Sequence, residues 1–430
     1  MLDRLHLFIP FANEHIALLG ADGRADPVHH VDIESLGIPL TAQITVDEQT
    51  GEKHTDHLRH PWESLGTGFT PMAMKVFHQS MGKRLMPGVE LKASPAKLLQ
   101  GHNVFGPTSI EAGALVMLKW LAGTYPKLYS MLRVDQTEVY DLDCTFSARL
   151  PDERTALQAI QAIRGVSNGQ TKGRGDDYQT TAYFGAKDSR LRRLKVYLKH
   201  PEFLRQYEDA KRAGRGDISA LRTLRVLSDP RLQQWSENLI RMEATVAKRW
   251  LNRRDIPNKL SDLIRHQELM AENGVCFIQW CWEQVTKELF AAFEGISMRV
   301  IKDEKVLAAL LEKFTKPAKG KWTKGRVEAG ITIPSIYVEG KPSETVARNV
   351  FRTYRSIKDY GWQETMDSMS RRTFYDHVSK ICECGLSKAA LQKLKQSDQA
   401  NNVVPLLRFV AVDFSCQRPS WYVEPSVEAA

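Results

Sequence analysis

The sequence predicts an α+β fold, a mostly antiparallel sheet with helices on one face, followed by a mainly helical C-terminal domain. Three observations carry this. Residues 1–90 read as strands punctuated by Gly, Pro and Asp. From residue 89 to 251 the order is strand, helix, strand, helix, strand, strand, helices, strand. Residues 340–400 are mostly helical. With 42% hydrophobic and 26% charged residues over 430 positions, the chain can build real cores, in two or three domains.

Each element has a local reason. MLDRLHLFIPF reads as a first strand, without the n-region, h-region and cleavage site of a signal peptide. No apolar stretch approaches the ~20 residues of a membrane span. LTAQITV (40–46) alternates apolar and polar residues, as a half-buried strand does, and VELKAS (89–94) is another strand. Residues 109–124 carry Ala112, Leu115, Leu118 and Leu121 at helical spacing. TEVYDLDCTFSA (137–148) returns to strand, and Pro151 and Asp152 open a helix over DERTALQAIQAIRGV. TTAYFGAK (180–187) and LRRLKVYLKH (191–200) read as strands, a basic helical stretch runs to about 237, and LIRMEATVAKRWL (239–251) is a strand again. KFTKPAKGKWTKGRVEAG (313–330), rich in Lys and Gly, reads as a linker. GWQETMDSMSRRTFYDHVSKICECGLSKAALQKL resembles a helix–turn–helix pair, with Ser370 capping the helix of Phe374, Val378 and Ile381.

The formal charge of +9 favours a polyanionic partner. The cysteines, Cys144, Cys276, Cys281, Cys382, Cys384 and Cys416, lack zinc-knuckle spacing and read mostly as buried free thiols. His54, His57 and His60, in KHTDHLRHP, read as an exposed turn rather than a zinc site. The loop SNGQTKGRG (167–175), with Lys172, suits a DNA backbone, and a solvated connector explains it almost as well.

Two patterns carry chemistry. Tyr197 lies among Arg190, Arg192, Arg193, Lys195 and Lys199, and strand alternation puts Lys195, Tyr197 and Lys199 on one face. Such a face holds a phosphate and lowers the phenol pKa; on pattern alone, a strand-edge tyrosine with solvated cations fits better. Glu90, Asp143 and Glu243 are lone acids in apolar strands, costly unless paired or metal-bound. Salt bridges to Lys92 or Arg241 are the competing explanation. Asp141 shares the face of Asp143.

Six strings run in order along nearly the whole chain: LKASPAKLLQGHNVFG (91–106), CTFSARLP (144–151), VSNGQTK (166–172), YLKH (197–200), CGLSKAALQ (384–392) and NNVVPLLRFVAVDFSCQRPSWYVEP (401–425). They resemble the gene II replication initiators of filamentous phages, the inoviruses. The resemblance implies an endonuclease that nicks the plus-strand origin of supercoiled replicative-form DNA through a covalent 5′-phosphotyrosine. It leaves a 3′-OH primer for rolling-circle synthesis and later cleaves and recloses the displaced single strand. It also implies origin duplex and single-stranded DNA as partners, with host helicase and polymerase, self-association on DNA and the host bacterial cytoplasm.

Residue by residue, YLKH makes Tyr197 the nicking tyrosine, with Lys199 beside it. Arg190, Arg192, Arg193, Lys195, Lys172, Arg371 and Arg372 are the expected DNA contacts. The His-hydrophobe-His strand of many rolling-circle nickases is missing here. Glu90, Asp143 and Glu243 are therefore expected to converge on Mg²⁺ or Mn²⁺, with His102 a further candidate. Asp141 ranks below them, since the family more often has a basic residue there. The expected division is a tyrosine nickase domain (1–255), a helical connection (256–312) and a DNA-binding or regulatory domain (313–430). An internal start at Met298 is expected to yield a shorter, non-cutting product. The alternative function is a non-catalytic, sequence-specific DNA-binding regulator.

Overall fold

The structure, a computed structural model, describes the chain apart from residues 20–27, 34–35, 39–40, 47–49, 81–85, 165–166, 169–170, 175–179, 187–188, 215, 295–302, 329–330, 341, 387, 389–390, 393, 395–413 and 429–430. Met298 lies outside the described residues.

The chain starts with β1 (Leu2–Pro10), then the hairpins β2 (Ala17–Leu19) with β3 (Val28–His30) and β4 (Thr41–Val46) with β5 (Lys53–Arg59). Next come β6 (Glu63–Leu65), β7 (Met72–Phe77), β8 (Gly88–Ala93), α1 (Pro95–Gln100), α2 (Ile110–Thr124), α3 (Pro126–Ser130) and β9 (Glu138–Arg149). α4 (Glu153–Arg164) precedes β10 (Ser167–Asn168), β11 (Thr171–Arg174), β12 (Thr181–Phe184) and β13 (Arg192–Leu198). α5 (Lys199–Ala213), α6 (Ile218–Leu227) and α7 (Pro230–Ser236) lead to β14 (Leu239–Ala247), α8 (Lys248–Asn252), α9 (Leu260–Glu272) and α10 (Phe277–Glu294).

The central strands lie in the order β12-β13-β14-β9-β1-β8-β7-β6, each neighbouring pair antiparallel. Alternation sorts their side chains onto two faces. Leu5, Leu91, Leu142, Val196, Met242 and Ala244 lie on one face, all fully buried. Helix α10 covers part of that face, with Trp282 against Phe146 (ring centroids 4.9 Å apart) and its indole N–H donating to the Met242 carbonyl (3.2 Å). The opposite face carries the polar residues.

Several expectations change at this level. β13 stops at Leu198, so Lys199 opens a helix instead of continuing the strand, and β14 gives way to α8 after Ala247. KHTDHLRHP is not a turn: residues 53–59 form β5, and His60 is 2% exposed. The side chains of His54 and His57 lie outside the description. The loop at 167–175 contains the hairpin β10–β11, in which Ser167 pairs Lys172; the Lys172 side chain is likewise outside the description. Cys144 and Cys281 are buried, but Cys276 and Cys416 are exposed.

Two compact units divide the chain. The first comprises 1–160, 174–287 and 412–430; the second comprises 161–173 and 288–411. These boundaries differ from the expected 1–255, 256–312 and 313–430. α9 and most of α10 belong with the sheet, because α10 supplies its apolar cover, and the last residues return to the first unit.

The second unit holds α11 (Asp303–Phe314), a ribbon of β15 (Lys321–Trp322), β16 (Arg326–Glu328), β17 (Ile331–Ile333) and β18 (Tyr337–Val338), and helices α12 (Thr345–Tyr360), α13 (Trp362–Asp367) and α14 (Arg371–Glu383). Val350, Tyr354, Ile357, Trp362, Phe374 and Ile381 form its core. Ser370 does cap α14, its hydroxyl accepting from the Thr373 N–H (3.2 Å). The segment 313–330 is not a plain linker, since β15 and β16 lie within it.

Candidate active site

Register arranges the polar face in rows across the strands. Tyr197 pairs Arg241, which pairs Ser147; Lys195 pairs Glu243, which pairs Thr145. Arg193 pairs Thr245, then Asp143, then Arg4. Asp141 pairs His6, which pairs Lys92.

Tyr197 is 4% exposed, and its hydroxyl donates to Oε1 of Glu243. Lys195 Nζ lies 4.1 Å from the Tyr197 ring centroid and 3.8 Å from Oε2 of Glu243. Burial, reinforced by Asp3, pushes the Glu243 carboxyl up to about 7. Burial, then the Glu243 charge, pushes the Tyr197 phenol well above its ordinary range. The expected lowering of that phenol by surrounding cations is therefore reversed. Desolvation penalises the phenolate more than Arg241 favours it.

Beside this pair sits a buried charged node. Arg241, 1% exposed, donates from Nε to Ser147 Oγ (3.1 Å) and from its two terminal nitrogens to the carbonyls of Asn103 and Val104. Asn103 donates to Asp3 (2.8 Å) and accepts from Lys199 Nζ (2.7 Å). Lys199 is fully buried and also pairs with Glu202; burial, then Arg241, lowers its pKa to about 8. It is thus a strut at the start of α5 rather than a cation beside the phenol; Lys195 takes that place. Sequence reasoning treated Arg241 only as a salt-bridge partner and missed Asp3, Asn103 and Glu202. An arginine inside the apolar run LIRMEATVA was the available signal.

The expected metal acids do not share a site. Glu90 lies 3.2 Å from His6 Nε2 and 3.8 Å from Lys92; Asp143 accepts from Thr245 and from Arg4 (3.2 Å); Glu243 holds Tyr197 and Lys195. Glu90 stands three strands and three rows from Glu243, on the order of 20 Å at ordinary strand spacing. No group of three or more His, Cys, Asp or Glu among the described residues is placed to hold an ion. Asp141 bridges Arg4 (2.7 Å) and His6 Nδ1 (3.0 Å). Burial opposes its ionisation, but the His6 hydrogen bond and Arg4 bring its pKa down to about 2. His102 uses Nδ1 to accept from the Val104 N–H (3.3 Å); burial, then Lys199 and Arg241, lowers its pKa to about 3, which keeps it neutral. It serves its own loop.

The expected DNA contacts separate as well. Arg193 shares the Tyr197 face, whereas Arg192 points to the opposite face and reaches the Gln284 carbonyl in α10 (3.5 Å). Arg190 precedes the strand and is exposed; Arg371 and Arg372 are exposed in the first turn of α14.

A family profile described as the N-terminal part of the gene II replication-associated protein matches residues 1–270, and one described as its C-terminal part matches 336–428. The chain belongs to the gene II replication-associated protein family. It is 37% identical over 432 residues to the gene II replication-associated protein of Salmonella phage IKe, covering 99% of this chain and 96% of that one. To the corresponding replication-associated protein of Enterobacteria phage M13 it is 36% identical over 438 residues, covering all of both. No solved structure matches the chain. No helix among the described residues is long and apolar enough to cross a membrane. In this gene II family chain the profile over 1–270 spans every residue of the Tyr197–Glu243 pair and the Arg241 node.

Proposed function

We propose that this gene II family chain initiates rolling-circle replication by nicking one strand of its origin with Tyr197. The observation that carries the reading is the Tyr197 hydroxyl, donating to a carboxylate on the neighbouring strand. In the step, the phenol oxygen attacks phosphorus, the Oη–P bond forms and the P–O3′ bond breaks. The phenol proton passes to Glu243, whose pKa of about 7 suits a general base at neutral pH. The leaving O3′ takes a proton and becomes the primer end, which host polymerase and helicase extend and unwind. A later 3′-OH reverses the exchange and recloses the strand. Lys195, with its side chain 36% exposed, and Arg193 supply the cations for the incoming phosphate. The proposal keeps Mg²⁺ or Mn²⁺ as the cofactor the family implies, without the three-acid site.

Tyr197→Phe tests this. The variant keeps the ring under Lys195 and removes only the nucleophilic oxygen. Incubated with supercoiled origin plasmid and Mg²⁺, it is expected to form no open circle while shifting an origin fragment as the wild type does. Undiminished open-circle formation would rule Tyr197 out.

A further inference from the structure

We propose that the β15–β18 ribbon is a second nucleic-acid site, which grips single-stranded DNA by stacking unpaired bases on Trp322 and Tyr337. It lies in the second unit and is independent of the nicking chemistry. Most of it falls between the two stretches matched by the family profiles.

The ribbon leaves the helices between α11 and α12, and Lys316 and Ser343 close its base with reciprocal backbone hydrogen bonds (both 3.0 Å). β15 pairs β18 and β16 pairs β17, as two-stranded sheets. Such a ribbon has little core of its own. Its apolar side chains are nevertheless large and turned to solvent: Trp322 is 68% exposed, Ile331 69%, Val327 67% and Tyr337 54%. Exposure of this kind, concentrated in one excursion, marks an interaction site.

Charge and register select the partner. Lys316, Lys319, Lys321, Lys324 and Arg326 are all exposed, against the acids Glu328 and Glu339 in residues 316–340, a net charge of +3 (5 − 2). Trp322 and Tyr337 are direct cross-strand partners, so their rings share one face, 5.5 Å apart. Lys321 and Val338 occupy the other face. Cations that follow a phosphate chain, beside aromatic faces open to solvent, are the elements of single-strand binding. A duplex hides its base faces within the stack and offers the rings nothing to stack on. A second copy of the ribbon would bring like charge against like charge, and its apolar residues do not form one continuous face.

Fluorescence anisotropy with the full-length protein tests this. The probes are a labelled 20-mer single strand without origin sequence and the duplex of the same sequence. Trp322→Ala with Tyr337→Ala is expected to weaken single-strand binding about tenfold or more, with duplex binding unchanged within twofold. Lys319→Ala, Lys321→Ala and Lys324→Ala together are expected to lower the salt slope on the single strand by about 2. Unchanged single-strand binding by the aromatic variant would overturn the proposal, as would equal loss on both probes. A fall in sedimentation mass with DNA binding intact would also overturn it, making the ribbon a contact between copies. Because the probe carries no origin, failure of the nicking reading leaves this result interpretable.

Discussion

Glu243 accepts the Tyr197 hydroxyl from a buried position that opposes its own ionisation. Its pKa is raised from 4.5 to about 7, so the native state holds this proton more tightly than the unfolded chain does. The extra stability is therefore full below about 4.5 and lost as pH rises through about 7. In the proposed nicking step the dependence runs the other way, since Glu243 can accept the phenol proton only when ionised. The nicking rate is expected to rise about tenfold per pH unit below 7 and to level off above it. Glu243→Gln is expected to cut the rate by about 10²–10⁴ and to remove that limb. It should also raise the melting temperature at pH 8 by an amount worth about 3 kcal/mol, with no gain at pH 4. Single-turnover nicking and thermal melts across pH read both. An unchanged pH profile in the variant would assign the base elsewhere.

At the scale of elements, β9 has an edge that β1 does not cover. β1 pairs it only as far as Leu2 opposite Cys144, so among the described residues no strand pairs the backbone of Ser147 on that side. Gln417 supplies one: its side-chain amide donates to the Ser147 carbonyl (2.7 Å) and accepts from the Ser147 N–H (2.9 Å). Around it, Arg418 donates to the Gly106 carbonyl (3.2 Å), Trp421 and Tyr422 meet Phe105 edge-on, and Phe414 lies against Trp282. Ser147 and the loop at 103–106 are the groups that hold Arg241, so the tail braces the node beside Tyr197. Gln417→Ala is expected to cost about 1–3 kcal/mol, because it leaves a backbone N–H and C=O unpaired. Nicking should fall with it, in proportion to the loss of folded protein. A melt indistinguishable from wild type would show that water replaces the amide.

For the whole molecule, this tail means that chain order and compact units do not coincide. Residues 412–430 follow the second unit in sequence but belong to the first in space. A product starting at Met298 would carry the tail without the surface on which it rests, leaving Phe414, Trp421 and Tyr422 without Trp282 and Phe105. Such a fragment is expected to bind a chain truncated after Ala411, whose surface is vacant, far more tightly than the intact chain, whose own tail competes. Pull-down of a tagged 298–430 fragment by each form measures this. Equal capture by both would place the contact elsewhere.

How much was legible divides along the range of the interactions. Alternation along single strands was enough to place β4, β8, β9 and β13 and to put Tyr197 beside Lys195, because side-chain direction in a strand depends only on parity. The Ser370 cap was legible for the same reason, since a cap bonds within its own first turn. The strings shared with the gene II family pointed to Tyr197 as the candidate nucleophile, which pattern alone did not favour. Tertiary structure decided what crosses between strands. Register put Glu243 within reach of Tyr197 and Glu90 on the order of 20 Å away. A helix start after Leu198 turned Lys199 from a strand cation into a buried strut. Likewise, nothing near residue 417 announces a partner at 147. These pairings join residues that are remote in sequence, and only the packed sheet sets the distances between them.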